Sequence, residues 1–276
     1  MRRSLLAVCL LVVSLPLVAQ NFENATVTRI DASRGVGAAI ATLGRSADPV
    51  WIAWTVPTSG RTICCWNGSS CCGRCSLDGN HGFSINGNIE DGPRPANEQA
   101  VIVVRVDDGK IRRVRLFGAG CDIDGQGARI QLLTNATADS SIDYLLSQVR
   151  NADREGEMMA ALSIHDHPRV VPELIALARR DLDDEVRKHA IFWLGQKAGE
   201  KAAGELRRAI DEDPDEDVKE RAVFAIAQLP KERSVPMLIE LVKTHKNAAV
   251  RKKAMFWLAQ TGDPRAIDLL ESILLQ

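Results

Sequence analysis

The chain of 276 residues lacks the short motifs by which several enzyme classes are recognised. It contains no Gly-x-Ser-x-Gly elbow, no His-Glu-x-x-His zinc helix and no glycine-rich phosphate loop. It also lacks a charge excess, since 35 basic and 36 acidic residues leave a formal net charge of −1. Balanced charge gives no argument for nucleic acid or an anionic membrane as a partner. We therefore predict no catalytic residues, no metal site and no cofactor.

Long apolar runs are missing beyond the N-terminus. Arg2 and Arg3 precede an apolar stretch from Leu5 to Leu17, and Leu17-Val-Ala19 has the small residues of a cleavage site. This stretch is too short to span a bilayer, which takes about 20 residues. We predict a signal peptide over 1–19, a secreted or periplasmic protein, and no membrane span in the mature chain.

Cysteine is scarce except in one short segment. Six of the seven cysteines fall in the predicted mature chain, at Cys64, Cys65, Cys71, Cys72, Cys75 and Cys121. An even number in an exported chain predicts a disulfide framework. We expect one cysteine of the 64–75 group to bond Cys121 and the other four to pair among themselves. Cys72 and Cys75 also form Cys-x-x-Cys, so a thiol-redox or metal-handling protein is the alternative.

Residues 20–138 predict a small, mostly-β, disulfide-rich domain. Residues 20–33 are polar and predict an extended lead-in. A short helix is expected over Val36–Leu43, ended by Gly44, and the first strand is expected to stop at Pro57. Gly109 predicts a hairpin turn over Asp107–Lys110. The alternating and β-branched segments predict strands over Val50–Val56, Arg61–Trp66, Ala100–Val106, Ile111–Phe117 and Arg129–Leu133.

Residues 139–276 carry an internal repeat. Val186, Val218 and Val250 each open a similar motif of eleven residues, and the three motifs lie 32 residues apart. A fixed period of this length is typical of a helical solenoid. The apolar spacing predicts helices near 169–180, 185–197, 202–211, 217–229, 234–244, 249–260 and 264–275, after a divergent first repeat of two helices.

At these residues the chain resembles HEAT-type repeat proteins, particularly the short HEAT-like repeats of phycobilisome lyases. The shared pattern is acidic, then Val-Arg, then Ala, then apolar-Leu-Gly. It stands here as Asp184-Glu-Val186-Arg187, Ala190 and Trp193-Leu194-Gly195. The resemblance implies a right-handed α-α superhelix and a role as a scaffold or adaptor. A bilin lyase would rest on the resemblance alone.

Equal positions of a solenoid stack on one surface, which predicts a possible binding face. Arg187, Lys219 and Arg251 form a basic column with further basic neighbours at Lys188, His189, Arg221, Lys252 and Lys253. This column would bind an anionic partner or, as we favour, pair with acids at the helix N-termini. Trp193 and Trp257 share one repeat position and are expected to pack in the core rather than form a ligand platform.

The pair His165 and His167 lies between two predicted repeats. With a third ligand it could bind a metal, but we expect both residues in a solvated loop. The repeats and the missing catalytic motifs together predict an exported, non-enzymatic interaction or scaffold protein with a protein partner.

Overall fold

The structure is a computed structural model that describes residues 21–44, 48–61, 63–67, 70–71, 75–78, 83–85, 97–150, 154–197 and 200–274. It combines a β part with a helical repeat array. The strands are β1 Phe22–Glu23, β2 Thr26–Asp31, β3 Val50–Arg61, β4 Ile63–Asn67, β5 Ser70–Cys71, β6 Cys75–Ser76, β7 Phe83–Ile85, β8 Asn97–Asp107, β9 Lys110–Gly118, β10 Ile123–Asp124 and β11 Arg129–Thr134.

The main sheet has five strands in the order β2-β11-β3-β8-β9. β11 is parallel to both β2 and β3, whereas β3–β8 and β8–β9 are antiparallel. The predicted turn between β8 and β9 is confirmed, and Asp108 and Gly109 both have positive φ there, at 49° and 68°. Two small sheets accompany it, in the orders β1-β10-β6 and β5-β4-β7.

Two expectations for this region are wrong. Residues 20–33 include strands β1 and β2 rather than only an extended lead-in. β3 continues through Pro57 to Arg61, with a register shift between these two residues. A proline can sit in a strand at such an irregularity, because the ladder there does not need its missing N–H.

Successive side chains of β3 point to opposite faces of the main sheet, as strand geometry requires. Ile52 and Trp54 are fully buried in the core shared with the helices. Trp51 and Ala53 are buried on the other face, in a second cluster that includes Cys75 and Ile123 of β10. Both faces of the sheet are therefore covered.

The helices match the predicted repeats within a few residues. They are α1 Val36–Leu43, α2 Ala138–Gln148, α3 Glu155–Ser163, α4 Val170–Arg180, α5 Asp184–Gln196, α6 Glu200–Glu212, α7 Glu216–Ala227, α8 Lys231–Thr244, α9 Ala248–Gln260 and α10 Pro264–Leu274. α2 and α3 occupy the predicted divergent first repeat. In the described part of the chain, no helix combines the length and the apolar character that crossing a bilayer requires.

The 32-residue period fixes where the second helix of each repeat begins. Asp183, Asp215 and Asn247 are the N-caps of α5, α7 and α9, and each side chain accepts a hydrogen bond from a backbone N–H of the first turn. Such caps each stabilise a helix by about 1 kcal/mol. Consecutive second helices, α3, α5, α7 and α9, contact one another and form one layer of the array.

The sheet and the array share one continuous core. Trp54 of β3 meets Tyr144 of α2 edge to face, with ring centroids 6.1 Å apart. The indole Nε1 of Trp54 also donates a hydrogen bond to the Ser141 hydroxyl, at 2.8 Å. The backbone N–H of Asp166 donates to the Pro57 carbonyl, at 2.9 Å. The sheet is thus joined to the first repeat by apolar and polar contacts.

Two glycines of the array provide a matched test of its packing. A Cβ added at Gly195 would lie 2.8 Å from the Cβ of Ala225 on α7, whereas a Cβ at the exposed Gly204 meets nothing within 4 Å. We expect Gly195→Ala to lower the free energy of unfolding by about 1–3 kcal/mol through overpacking. Gly204→Ala should raise it by about 0.5–1 kcal/mol, because alanine favours the helix. Denaturant unfolding of the two variants checks the opposite signs.

Candidate functional site

The layer of second helices carries an open cleft of about 450 Å³. α5, α7 and α9 position its walls, because the same register of the repeat faces the same way in each helix. The cleft is lined by Glu185, Lys188, Asp217, Glu220, Arg221, Phe224, Lys253 and Trp257. A rim of both charges therefore surrounds two aromatic rings.

Aromatic rings run along this layer from repeat to repeat. Phe192 and Phe224 stack with centroids 6.1 Å apart, and Phe224 lies 4.9 Å from Trp257. Phe256 touches Trp257 of its own helix at 5.0 Å. Trp193 and Trp257 occupy the same position in two repeats but differ in burial. Trp193 is buried, at 7% exposure, whereas Trp257 is half-buried and lines the cleft. The expected core packing thus describes Trp193 better than Trp257.

Most charged side chains that line the cleft form ion pairs with neighbouring residues. Lys188 lies 3.0 Å from Asp184 and also contacts Glu185. Hydrogen bonds to Glu185 and Asp184 raise the pKa of Lys188 above its ordinary value. Lys253 lies 2.6 Å from Glu220. The exposed Arg221 differs, since its guanidinium lies over the Phe224 ring at 5.9 Å, a cation–π geometry.

The predicted basic column divides into two groups. Arg187 is nearly buried and pairs with Asp213 at 3.1 Å. Arg251 donates to the carbonyls of His245 and Lys246, both at 2.8 Å. Lys219 pairs with Glu216 of its own helix at 3.0 Å. These three side chains hold loops and helix ends together and are not among those lining the cleft.

The remaining basic residues of the predicted face lie elsewhere on the layer. Lys188, Arg221 and Lys253 line the cleft. Lys252 lines an adjoining depression of about 400 Å³ with Phe256, and the Glu220–Lys253 ion pair borders both depressions. The ring of His189 packs over Gly156, where an added Cβ would lie 2.8 Å from it, and burial lowers its pKa.

Two of the six predicted framework cysteines are described with their side chains. Cys75 and Cys121 are both buried, and both are disulfide-bonded. Their chain segments adjoin, because the Cys75 N–H donates to the Asp122 carbonyl. The side chains of Cys64, Cys65, Cys71 and Cys72 lie outside the described residues, so the connectivity and the disulfide-rich framework remain predictions. The residues that the structure describes hold no cluster of three His, Cys, Asp or Glu suited to a metal.

The expectation of a solvated loop is wrong for His165, which is fully buried. Its Nδ1 lies 2.9 Å from the Ala161 carbonyl, and its Nε2 lies 2.9 Å from the Ser141 hydroxyl. Because a carbonyl can only accept, Nδ1 carries the proton and Ser141 donates to Nε2. Ser141 in turn accepts from Trp54, so three side chains form one buried network.

Burial lowers the pKa of His165 from 6.5 to about 4. Between these pH values the unfolded chain binds a proton that the folded protein does not bind. The contribution of His165 to stability is therefore full above pH 6.5 and is lost as the pH is lowered towards 4, by about 3 kcal/mol. Denaturant unfolding across this range checks the sign. His165→Gln should flatten the dependence, and an equally steep profile in this variant would contradict the assignment.

The sequence analysis did not predict the aromatic floor of the cleft, which consists of Phe224 and Trp257. A signal was present, because phenylalanine recurs at 192, 224 and 256 with the 32-residue period. What the sequence did not show is that Phe224 meets Trp257 of the next repeat, one position beyond its counterpart, Phe256.

The stacked helix pairs, with N-caps at equivalent positions of successive repeats, define an α-helical repeat protein. Residues 205–276 match the family model described as HEAT repeats. Among solved structures, the chain is similar to one titled the complex of CpcE and CpcF of phycocyanin lyase from Nostoc sp. PCC7120. The match has 21% sequence identity and a TM-score of 0.33, and covers 44% of this chain and 85% of that chain. No curated protein sequence matches the chain.

Proposed function

We propose that the protein is an exported, non-enzymatic interaction protein whose cleft on α5, α7 and α9 binds a segment of a protein partner. The observation that carries this proposal is the aromatic floor of Phe224 and Trp257 beneath a rim of mixed charge. Aromatic and arginine side chains dominate the binding energy of protein interfaces. Arg221, exposed over the Phe224 ring, adds an adaptable cation to that floor.

The electrostatics of the cleft favour binding over catalysis. A lysine nucleophile or base needs a lowered pKa, whereas its acidic neighbours raise the pKa of Lys188. Lys253 is likewise held by Glu220 in an ion pair. Paired charges of this kind set the orientation and specificity of a partner.

The proposal is tested by identifying the partner and then measuring how substitutions of cleft residues alter its affinity. Cross-linking the mature protein in its own cell envelope identifies candidates, and titration calorimetry with the purified candidate gives the affinity. We expect Trp257→Ala and Arg221→Ala each to weaken binding about tenfold or more, since both remove central interface contacts. Lys110→Ala, an exposed change in the β8–β9 turn, is the matched control. An unchanged affinity in Trp257→Ala would exclude the cleft as the binding site.

Export rests on the predicted signal peptide over 1–19, which lies outside the described residues. If it is correct, the protein recovered from the cell envelope begins at Gln20, and N-terminal sequencing decides this. A chain that retains residues 1–19 in the cytoplasm would refute export without touching the proposal for the cleft.

The alternative function, thiol-redox or metal handling, depends on the cysteines. Thiol titration and peptide mapping under non-reducing conditions separate it from the interaction protein. The interaction protein predicts essentially no free thiol and no bound metal. A reducible Cys72–Cys75 pair with transfer activity would favour the alternative.

A further inference from the structure

A cavity of about 320 Å³ lies between α1, α2 and the β8–β9 turn. We call it the α1–α2 cavity. Its walls include the side chains of Ile40, Val106 and Ile111, which are all buried. Its volume falls at the lower end of the range of small-molecule sites, which is about 300–1,000 Å³. None of its lining residues belongs to α5, α7 or α9, so it is separate from the cleft.

The face of α1 that borders the cavity carries mostly small residues. Gly37, Ala41 and Gly44 lie four and three residues apart, which places them on one face of the helix and its C-cap. A Cβ added at Gly37 would lie 3.5 Å from the Tyr144 ring. One added at Gly44 would lie 3.0 Å from the Val106 side chain. Small residues explain why the space is open, but a binding site also needs a group that a ligand can use.

Tyr144 supplies that group. Its side chain is 8% exposed and lines the cavity. Buried tyrosine hydroxyls usually have a hydrogen-bond partner, yet the hydroxyl of Tyr144 has none among the described residues. Burial raises the pKa of Tyr144, so its hydroxyl keeps the proton and can donate it to a hydrogen bond. The cavity thus contains a buried donor that a ligand can satisfy.

The remaining polar groups of the cavity restrict the chemistry of its ligand. The Ser147 hydroxyl donates to the Tyr144 carbonyl at 2.6 Å and accepts from the Gln148 amide at 3.1 Å, so it is already satisfied. Among the described residues that line the cavity, none is charged. A charged ligand would lose its hydration there without meeting an opposite charge. A peptide segment would bring a backbone donor and a backbone acceptor with each residue, for which the side chains of the cavity offer few partners.

We propose that the α1–α2 cavity binds a small uncharged organic molecule, in which an apolar ring or short chain carries an oxygen acceptor such as a ketone. The oxygen accepts a hydrogen bond from the Tyr144 hydroxyl, and the apolar part packs against Ile40, Val106 and Ile111. A ligand of this kind satisfies the buried phenol and removes apolar surface from water. The proposal does not depend on the function of the cleft, because the two sites share no residue.

Ligand-observed NMR titration of the purified protein with acetophenone tests the proposal. Acetophenone has the required ring and carbonyl, ethylbenzene is similar in size but lacks the acceptor, and benzoate adds a charge. We expect saturable binding of acetophenone at millimolar concentration, binding of ethylbenzene that is about three- to tenfold weaker, and no binding of benzoate. Ala41→Leu, which fills the cavity from α1, should abolish the binding of acetophenone. Ala38→Leu is the matched control, because Ala38 is an exposed residue of α1 that does not line the cavity.

Tyr144→Phe separates the hydrogen bond from the apolar contacts, because it keeps the ring that meets Trp54 and removes only the hydroxyl. It should weaken the binding of acetophenone about three- to tenfold and leave that of ethylbenzene unchanged. Circular dichroism confirms that each variant keeps its helices, and Ala41→Val serves if Ala41→Leu does not fold. An unaltered protein that binds neither acetophenone nor ethylbenzene, or that binds benzoate as tightly, overturns the proposal. Binding of acetophenone that Ala41→Leu leaves intact does the same, as does a Tyr144→Phe variant that binds both neutral molecules as before or loses both equally.

Discussion

Replacing Trp54 by alanine is expected to lower the free energy of unfolding by about 5 kcal/mol. Trp54 is fully buried where β3 meets α2. Its removal leaves a cavity and breaks the edge-to-face contact with Tyr144. It also removes the indole donor from the Ser141–His165 network, where an unsatisfied buried oxygen costs further free energy.

The control for this variant is Trp54→Phe, which keeps much of the ring volume and loses the indole N–H. We expect it to cost about 1–3 kcal/mol, the typical range for an unsatisfied buried polar group. Denaturant unfolding should be followed both by far-ultraviolet circular dichroism, which reports the helices, and by tryptophan fluorescence. A loss below about 2 kcal/mol in Trp54→Ala would show that the joint between sheet and array is loosely packed.

The second large effect is expected at Trp193, where alanine should cost about 3–5 kcal/mol. Its side chain is 7% exposed in the core of the array and meets Phe192 edge to face at 5.0 Å. Thermal and denaturant unfolding of Trp193→Ala measure the loss.

The repeat supplies the control for Trp193→Ala. Trp257 occupies the same position two repeats later, yet it is half-buried and lines the cleft. Trp257→Ala should therefore cost clearly less stability than Trp193→Ala and should act mainly on partner binding. Equal losses in the two variants would contradict the division between a core tryptophan and a surface tryptophan.

The helical half could be predicted closely because its signals are local. Apolar residues recur at helical spacing, and a 32-residue period repeats them with an N-cap at Asp183, Asp215 and Asn247. Each helix end is fixed within a few residues of the chain. The β half could be predicted only as separate strands, since β11 inserts between β2 and β3 from about 80 to 100 residues away.

The candidate site shows a similar limit. The repeat period shows which basic residues occupy equal positions of successive helices. It does not show which residue each of these side chains contacts. Arg187 reaches Asp213 of another loop and is nearly buried, whereas Arg221 remains exposed over an aromatic ring. The burial of His165 could not be predicted either, because this loop residue packs against Ser141 of α2.

The contacts between the sheet and α2 stabilise one end of the repeat array. An isolated repeat array unravels from either end with similar ease, because each repeat is stabilised only by its neighbours. Here the first repeat is anchored to a folded sheet by Trp54, Ser141 and His165, while α10 has no such support among the described residues. The repeats nearest the sheet should therefore be the last to lose their structure.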